Sequence, residues 1–183
     1  MANISHISLL DPDSNGIVED KLAKTISFFC TKRPVLVNPT IIEELKIISK
    51  LNGGRNVRVC LHDNPKSLHH DMIILEHRGK YYRPHKHERK GEAFHIIEGN
   101  LAIFAFSDDG IVIDAVKLNP SDIYRIEIGM YHSIQPITET VIYHENKPGP
   151  FEGNSDSIFA DWSPKEEEEE EIITYLSKLE KYL

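Results

Sequence analysis

From Val57 to His144 the sequence is built from short runs rich in Val, Ile, Tyr and Phe, cut at regular intervals by turn residues, and this texture restricts the fold more than any other feature. Candidate strands are Val57–Leu61, Met72–His77, Ala93–Glu98, Leu101–Phe106, Ile111–Val116, Ile123–Ile128, His132–Gln135 and Thr140–His144. The pairs Gly99-Asn100 and Asp109-Gly110 have the composition of two-residue hairpin turns. Short strands repeated every 8–12 residues or so predict an antiparallel sandwich or barrel.

The flanks read differently. Residues 1–38 carry a dense turn signal at Asp11-Pro12-Asp13-Ser14-Asn15-Gly16, and Ile17 to Phe29 fits a helix or a strand. No chemistry is assigned to them. Thr40-Ile41-Ile42-Glu43 has the capping-box pattern, Ile41, Leu45, Ile48 and Leu51 recur at helical spacing, and Gly53-Gly54 ends the helix. At the other end, the run Glu166 to Glu171 leads into Ile172, Ile173, Leu176, Leu179 and Leu183, which form one helical stripe. The 183 residues therefore divide into an N-terminal α/β extension (1–54) packing on the barrel, the barrel (55–165) and a C-terminal acidic helix (166–183).

The formal charge of −8 lies mostly in that Glu run, and the remainder sums to about −2. Neither value suits a partner that neutralises phosphates, so nucleic acid and anionic membrane are not expected. The mainly apolar stretch Ile26 to Cys30 is too short to span a bilayer, no signal-peptide pattern is read, and Cys30 and Cys60 are expected as small core residues. A cytoplasmic location is the expectation.

The informative stretch runs from Gly79 to Gly99. His85 and His87 are two apart, so on a strand both project to one face. Glu88 to Gly91 would turn the chain and let Glu92 present its carboxylate to the same point, and His132 could supply a third imidazole from a later strand. Imidazoles with one carboxylate make a nitrogen and oxygen site for one divalent transition metal (Fe, Mn, Ni, Co, Cu or Zn) and suit Ca or Mg poorly. Four protein ligands on an octahedral ion leave two positions for substrate, water or dioxygen.

The spacing from Gly79 through His85, His87 and Glu92 to Gly99 resembles the first motif of the cupin superfamily at each fixed position. More narrowly, the chain is similar to the WbuC family of cupin-fold metalloproteins. That likeness rests on Arg58-Val-Cys-Leu-His62, Pro84-His85-Lys-His87 with Glu92, Phe106-Ser-Asp-Asp-Gly110, Glu145-Asn-Lys147-Pro-Gly149-Pro150-Phe151 and Phe159-Ala-Asp-Trp162-Ser-Pro164. It implies a mainly β, antiparallel jelly-roll barrel with a metal inside, an association with surface-polysaccharide gene clusters and a homodimer. In the second motif Glu127 stands where Pro is usual and Pro136 where Asn is usual, while Gly129 and His132 are kept.

Several polar residues flank these ligands. His62 and Glu145 are candidate bases, and Tyr82, Arg83 and Lys147 are candidate substrate contacts. Alternation from Glu92 sends Phe94 and Ile96 inward and His95 outward. His69 and His70 are expected in a solvated loop, and Trp162 as a packing anchor. The small-molecule partner is expected to be sugar-derived. Three functions fit: isomerase or epimerase chemistry on a sugar or sugar nucleotide, a non-heme Fe(II) dioxygenase, and a non-catalytic metalloprotein that senses a sugar or an anion.

Overall fold

The fold is that of a computed structural model, described for residues 6–11 and 16–183. The turn expected at Asp11 to Gly16 falls in part on residues 12–15, outside the described residues. The strands are β1 (Ile17–Glu19), β2 (Ile26–Cys30), β3 (Val57–Cys60), β4 (His69–His77), β5 (His85–Lys86), β6 (Glu92–Glu98), β7 (Leu101–Phe106), β8 (Val112–Leu118), β9 (Ile123–Ile126), β10 (Tyr131–Pro136), β11 (Thr140–Pro148) and β12 (Ile158–Phe159). Helix α1 is Pro39–Leu51 and helix α2 is Glu169–Leu179.

The strands form two sheets, one in the order β1-β2-β3-β4-β11-β6-β9 and the other β12-β5-β10-β7-β8. Because side chains alternate along a strand, each sheet has an inner and an outer face. Met72, Ile74, Phe94, Ile96, Val141 and Tyr143 of the larger sheet meet Leu101, Ile103 and Ala105 of the smaller in one core. On the outer face of the larger sheet, α1 packs Ile41, Ile42, Leu45 and Ile48 against Val57, Val59, Ile73, Leu75 and Ile142. Burial of each such side chain is worth about 1.5–3 kcal/mol. The outer face of the smaller sheet is covered by Leu179 of α2 over Ala102, Phe104 and Phe106. The expected mainly β architecture, with its short C-terminal helix, is what the chain adopts.

Several local expectations are corrected. Of the two alternatives for Ile17 to Phe29 the chain takes strand, at Ile17–Glu19 and Ile26–Cys30, and β2 pairs in parallel with β3 through the α1 crossover, so the larger sheet is mixed and not purely antiparallel. The cap of α1 is Asn38, whose Oδ1 accepts from the Ile41 amide at 3.2 Å, with Pro39 in the first turn; Thr40 already lies inside the helix. Gly53-Gly54 does end α1, the Gly54 amide donating to the Ser49 carbonyl at 2.9 Å.

Asp109-Gly110 joins the paired strands β7 and β8 as a hairpin, but Gly99-Asn100 does not. It carries the chain from β6 in one sheet to β7 in the other. Gly99 has φ +76°, and a Cβ there would stand 2.4 Å from the Thr140 carbonyl, so the glycine serves a tight corner between sheets. In α2 the inward positions are Ile172, Tyr175, Leu176 and Leu179, while Ile173 is 67% exposed and Leu183 lies beyond the helix, also exposed. Cys30 and Cys60 are both buried thiols. No helix among the described residues is long and apolar enough to cross a membrane.

Candidate metal centre

Three histidines converge inside the barrel. His85 on β5 is the register partner of His132 on β10, and their ring centroids lie 4.6 Å apart. His87 follows one residue beyond β5, its ring 5.2 Å from that of His85 and 5.8 Å from that of His132. One donor atom from each of the three lies within 4.8 Å of the others. Glu92, at the start of β6, places Oε1 2.7 Å from His87 Nε2 and Oε2 3.2 Å from His132 Nε2. His87, His132 and Glu92 are each 2–4% exposed, and His85 is half-buried.

The same nitrogen is pinned in all three rings. His85 Nδ1 lies 3.0 Å from the Arg83 carbonyl, His132 Nδ1 3.1 Å from the Met130 carbonyl, and His87 Nδ1 hydrogen-bonds the Asp156 carbonyl. A carbonyl oxygen only accepts, so each Nδ1 carries a proton, and whenever a ring is neutral its Nε2 is the atom left with a lone pair. This is the usual outer support of a metal-binding imidazole.

His87 Nε2 is buried, and its 2.7 Å approach to Glu92 lacks the direction of a hydrogen bond. A lone pair facing a carboxylate oxygen needs a cation or a proton between them. The donor set therefore fits a divalent transition ion.

Electrostatics at the centre follow from burial set against neighbouring charge. Burial, and then the adjacent His132, push the His85 pKa down to about 4. For His87, burial opposes the imidazolium but the adjacent Glu92 carboxylate outweighs it, and the pKa rises. Burial works against ionised Glu92, yet Lys147 and the two histidines hold it well below the usual carboxylate range. Lys147 Nζ lies 2.7 Å from Glu92 Oε1 and 3.2 Å from Glu145 Oε1, and these two carboxylates keep it an ammonium despite burial.

The remaining sequence candidates fall in distinct places. Glu145 sits beside Lys147 on the inner face of β11, one hydrogen bond removed from Glu92 through that lysine. His62, just past β3, is buried, takes the Asp71 amide proton on Nδ1 at 3.2 Å, and stacks on His70 with centroids 4.2 Å apart. Tyr82 accepts from Asn56 Nδ2 at 3.2 Å and contacts Glu76. Arg83 donates to the Ala160 carbonyl at 2.7 Å and Ser163 Oγ at 3.2 Å, which ties down the segment after β12. Trp162 packs on Phe106 and Tyr131 and donates to the Asp108 carbonyl at 3.0 Å.

His70 does not lie in a solvated loop. With His69 it begins β4, and it is 5% exposed, because it faces inward opposite Lys147 while His69 stays outside. Sequence reading also passed over Lys90, Asp156 and Glu76. All three are buried, and the partners of Lys90 lie 60 and 66 residues away, so no local spacing marks it.

Comparison with known proteins adds the following. A family model described as a domain of unknown function (DUF6016) matches residues 41–118, a span that holds His85, His87 and Glu92 but not His132. A comparison with curated proteins found no match. Among solved structures the chain is similar to KdgF from Halomonas sp. at 16% identity and a TM-score of 0.43, covering 52% of this chain and 80% of that one. It is similar to L-ribose isomerase from Cellulomonas parahominis, solved with L-psicose, at 16% identity and a TM-score of 0.48, covering 59% and 70% of the two chains. It is also similar to oxalate decarboxylase from Bacillus subtilis at 15% identity and a TM-score of 0.47, where the match covers 57% of this chain and only 27% of that one. These likenesses concern the course of the chain alone.

Proposed function

We propose that this chain is a cupin-type metalloenzyme in which His85, His87, His132 and Glu92 hold one divalent first-row ion, and that it isomerises or epimerises a sugar or sugar nucleotide. The observation that carries the metal assignment is the shared orientation: three Nδ1 atoms engaged by main-chain carbonyls leave Nε2 as the ligand atom of three clustered rings beside a carboxylate. When bound, such an ion polarises a substrate carbonyl or hydroxyl as a Lewis acid.

The neighbouring residues divide the remaining work. Lys147, held as an ammonium between Glu92 and Glu145, supplies fixed positive charge where an oxyanion would develop. Glu145 is the proposed base, because its carboxylate joins the centre through Lys147 without being one of the four ligands. His62 is a second proposed base at the same end of the barrel, reached through His70 and Lys147. Tyr82 is kept as a proposed substrate contact. Arg83 is engaged by main-chain oxygen of the closing segment. The WbuC-like motifs support a cytoplasmic homodimer acting in surface-polysaccharide synthesis.

Elemental analysis of the purified protein should find about one transition ion per chain, lost in a His85→Ala/His87→Ala double variant. Stoichiometric metal in that variant refutes the assignment. Catalysis is read by NMR as solvent deuterium entering a carbon position of a sugar nucleotide. Oxygen uptake with Fe(II) would replace the isomerase by a dioxygenase. Saturable sugar binding with neither deuterium exchange nor oxygen uptake would make the protein a sensor.

A further inference from the structure

Residues 149–157 join β11 of the larger sheet to β12 at the edge of the smaller one, so they cross the end of the barrel where the histidines meet. Gly149 leaves β11 where no side chain fits: a Cβ would stand 1.9 Å from the Ser67 carbonyl and 2.7 Å from His70 Nε2. The Phe151 amide then donates to the Pro65 carbonyl at 2.8 Å. At the far end, Ile158 and Phe159 pair with Lys86 and His85.

Between these anchors the segment is held by one buried lysine. Lys90 lies in the turn between His87 and Glu92, and its ammonium donates to the Pro150 carbonyl at 2.5 Å and to Asp156 Oδ1. Lys90 and Asp156 are each 7% exposed. The Glu152 amide donates to the same Asp156 oxygen at 3.1 Å, and the Asp156 carbonyl accepts the His87 Nδ1 proton. The other two histidines take their carbonyl from two residues upstream, at Arg83 and Met130. Only His87 depends on a residue 69 positions away.

We propose that Lys90 and Asp156 are positioning residues for the metal: their buried pair fixes the strap carbonyl that sets the tautomer and direction of His87. This rests on the metal-centre reading above. A buried lysine is costly unless its hydrogen bonds are met, and here both partners, the Pro150 carbonyl and the Asp156 carboxylate, belong to the strap whose Asp156 carbonyl holds His87. Outer partners of metal-bound histidines generally matter 10–100-fold in metal affinity.

The test uses Co(II) with the full-length chain. Affinity is measured by chelator competition and geometry by the visible ligand-field spectrum. Lys90→Met and Asp156→Asn are each expected to weaken Co(II) binding about 10–100-fold and to alter the spectrum. Lys86→Met, which loses an ion pair to Asp108 and a cation–π contact with Tyr131 but no contact with the strap carbonyl, should leave both unchanged. Asp156→Asn keeps the backbone carbonyl and decides the question if Lys90→Met does not fold. In the metal-free protein, the 15N shifts of His87 should move from the pure Nδ1–H form toward a mixture in Asp156→Asn, an effect that lost stability alone would not produce.

Wild-type affinity and spectrum in Asp156→Asn overturn the proposal and leave the metal centre standing. If the wild-type chain binds no Co(II), or binds it equally well in a His85→Ala/His132→Ala variant, the metal-centre reading fails and this proposal with it.

Discussion

Lys147 Nζ and His87 Nε2 approach the same oxygen, Glu92 Oε1, each at 2.7 Å. An ammonium and an imidazole therefore share one buried carboxylate oxygen. Any cation entering between the imidazoles must share Glu92 with Lys147, and the lysine in turn keeps Glu92 ionised when no metal is bound.

Lys147→Met removes that ammonium and leaves Glu92 and Glu145 as two buried carboxylates with one fewer partner. Breaking a buried pair from one side costs about 3–5 kcal/mol. The metal-free variant should lose stability of that order in urea denaturation, and stoichiometric Zn(II) or Co(II) should restore most of it. Equal loss with and without metal would show that Lys147 does not share its carboxylate with the ion.

The stacked pair His62 and His70 predicts acid sensitivity. Burial, followed by the charge of His70, pushes the His62 pKa down to about 4, and burial also lowers that of His70. In the unfolded chain such rings titrate near 6.5. Their contribution is complete above about pH 6.5 and is lost as pH falls toward 4, because the unfolded chain takes up protons that the fold refuses. The urea midpoint should drop between about pH 7 and about pH 5, and His62→Gln should shrink that drop. An unchanged pH profile in the variant would remove His62 as its source.

Glu76 gives the opposite slope. Burial raises its pKa to about 7 although Tyr82 and Tyr143 hydrogen-bond it, and its Oε2 has no partner. Between about pH 4.5 and 7 the folded chain holds a proton that the unfolded chain has released, so this group's contribution declines as pH rises and then levels off. Glu76→Gln should be more stable than wild type by about 1–2 kcal/mol at pH 8, with little difference near pH 4.5. A variant less stable at both pH values would show that the carboxyl is needed for packing.

Leu179, 3% exposed, is the buried contact by which α2 covers the smaller sheet. Leu179→Ala should cost about 2–3 kcal/mol and speed hydrogen exchange across Glu169–Leu179. Ile173→Ser, on the exposed side, should stay within about 0.5 kcal/mol of wild type. Similar losses from both changes would mean that the helix docks on another face.

What could be read from the chain alone was whatever depends on near neighbours. Period-two alternation placed Phe94 and Ile96 inward with Glu92, and the His85-x-His87 spacing pointed to two neighbouring rings, although the strand itself ends at Lys86. The Leu101–Phe106 strand was read to its exact ends because a continuous apolar run is bounded by turn residues on both sides. The helix of residues 39–51 declared itself through its apolar stripe, although its cap did not, since Asn38 and Thr40 are both capping residues and Pro39 decides between them.

Tertiary structure alone decided the rest, because those facts are contacts between distant residues. Gly99 looks like a hairpin glycine, yet the approach of Thr140 makes it a corner between sheets. His70 reads as a solvated loop residue until β11 places Lys147 opposite it. A main-chain carbonyl has no letter in a sequence, so the Asp156 oxygen that orients His87 was invisible before the fold brought it there. Residue identity supplied the ligand types and carbonyls two residues upstream orient His85 and His132, but only the fold brought the three rings together and set which nitrogen of His87 faces inward.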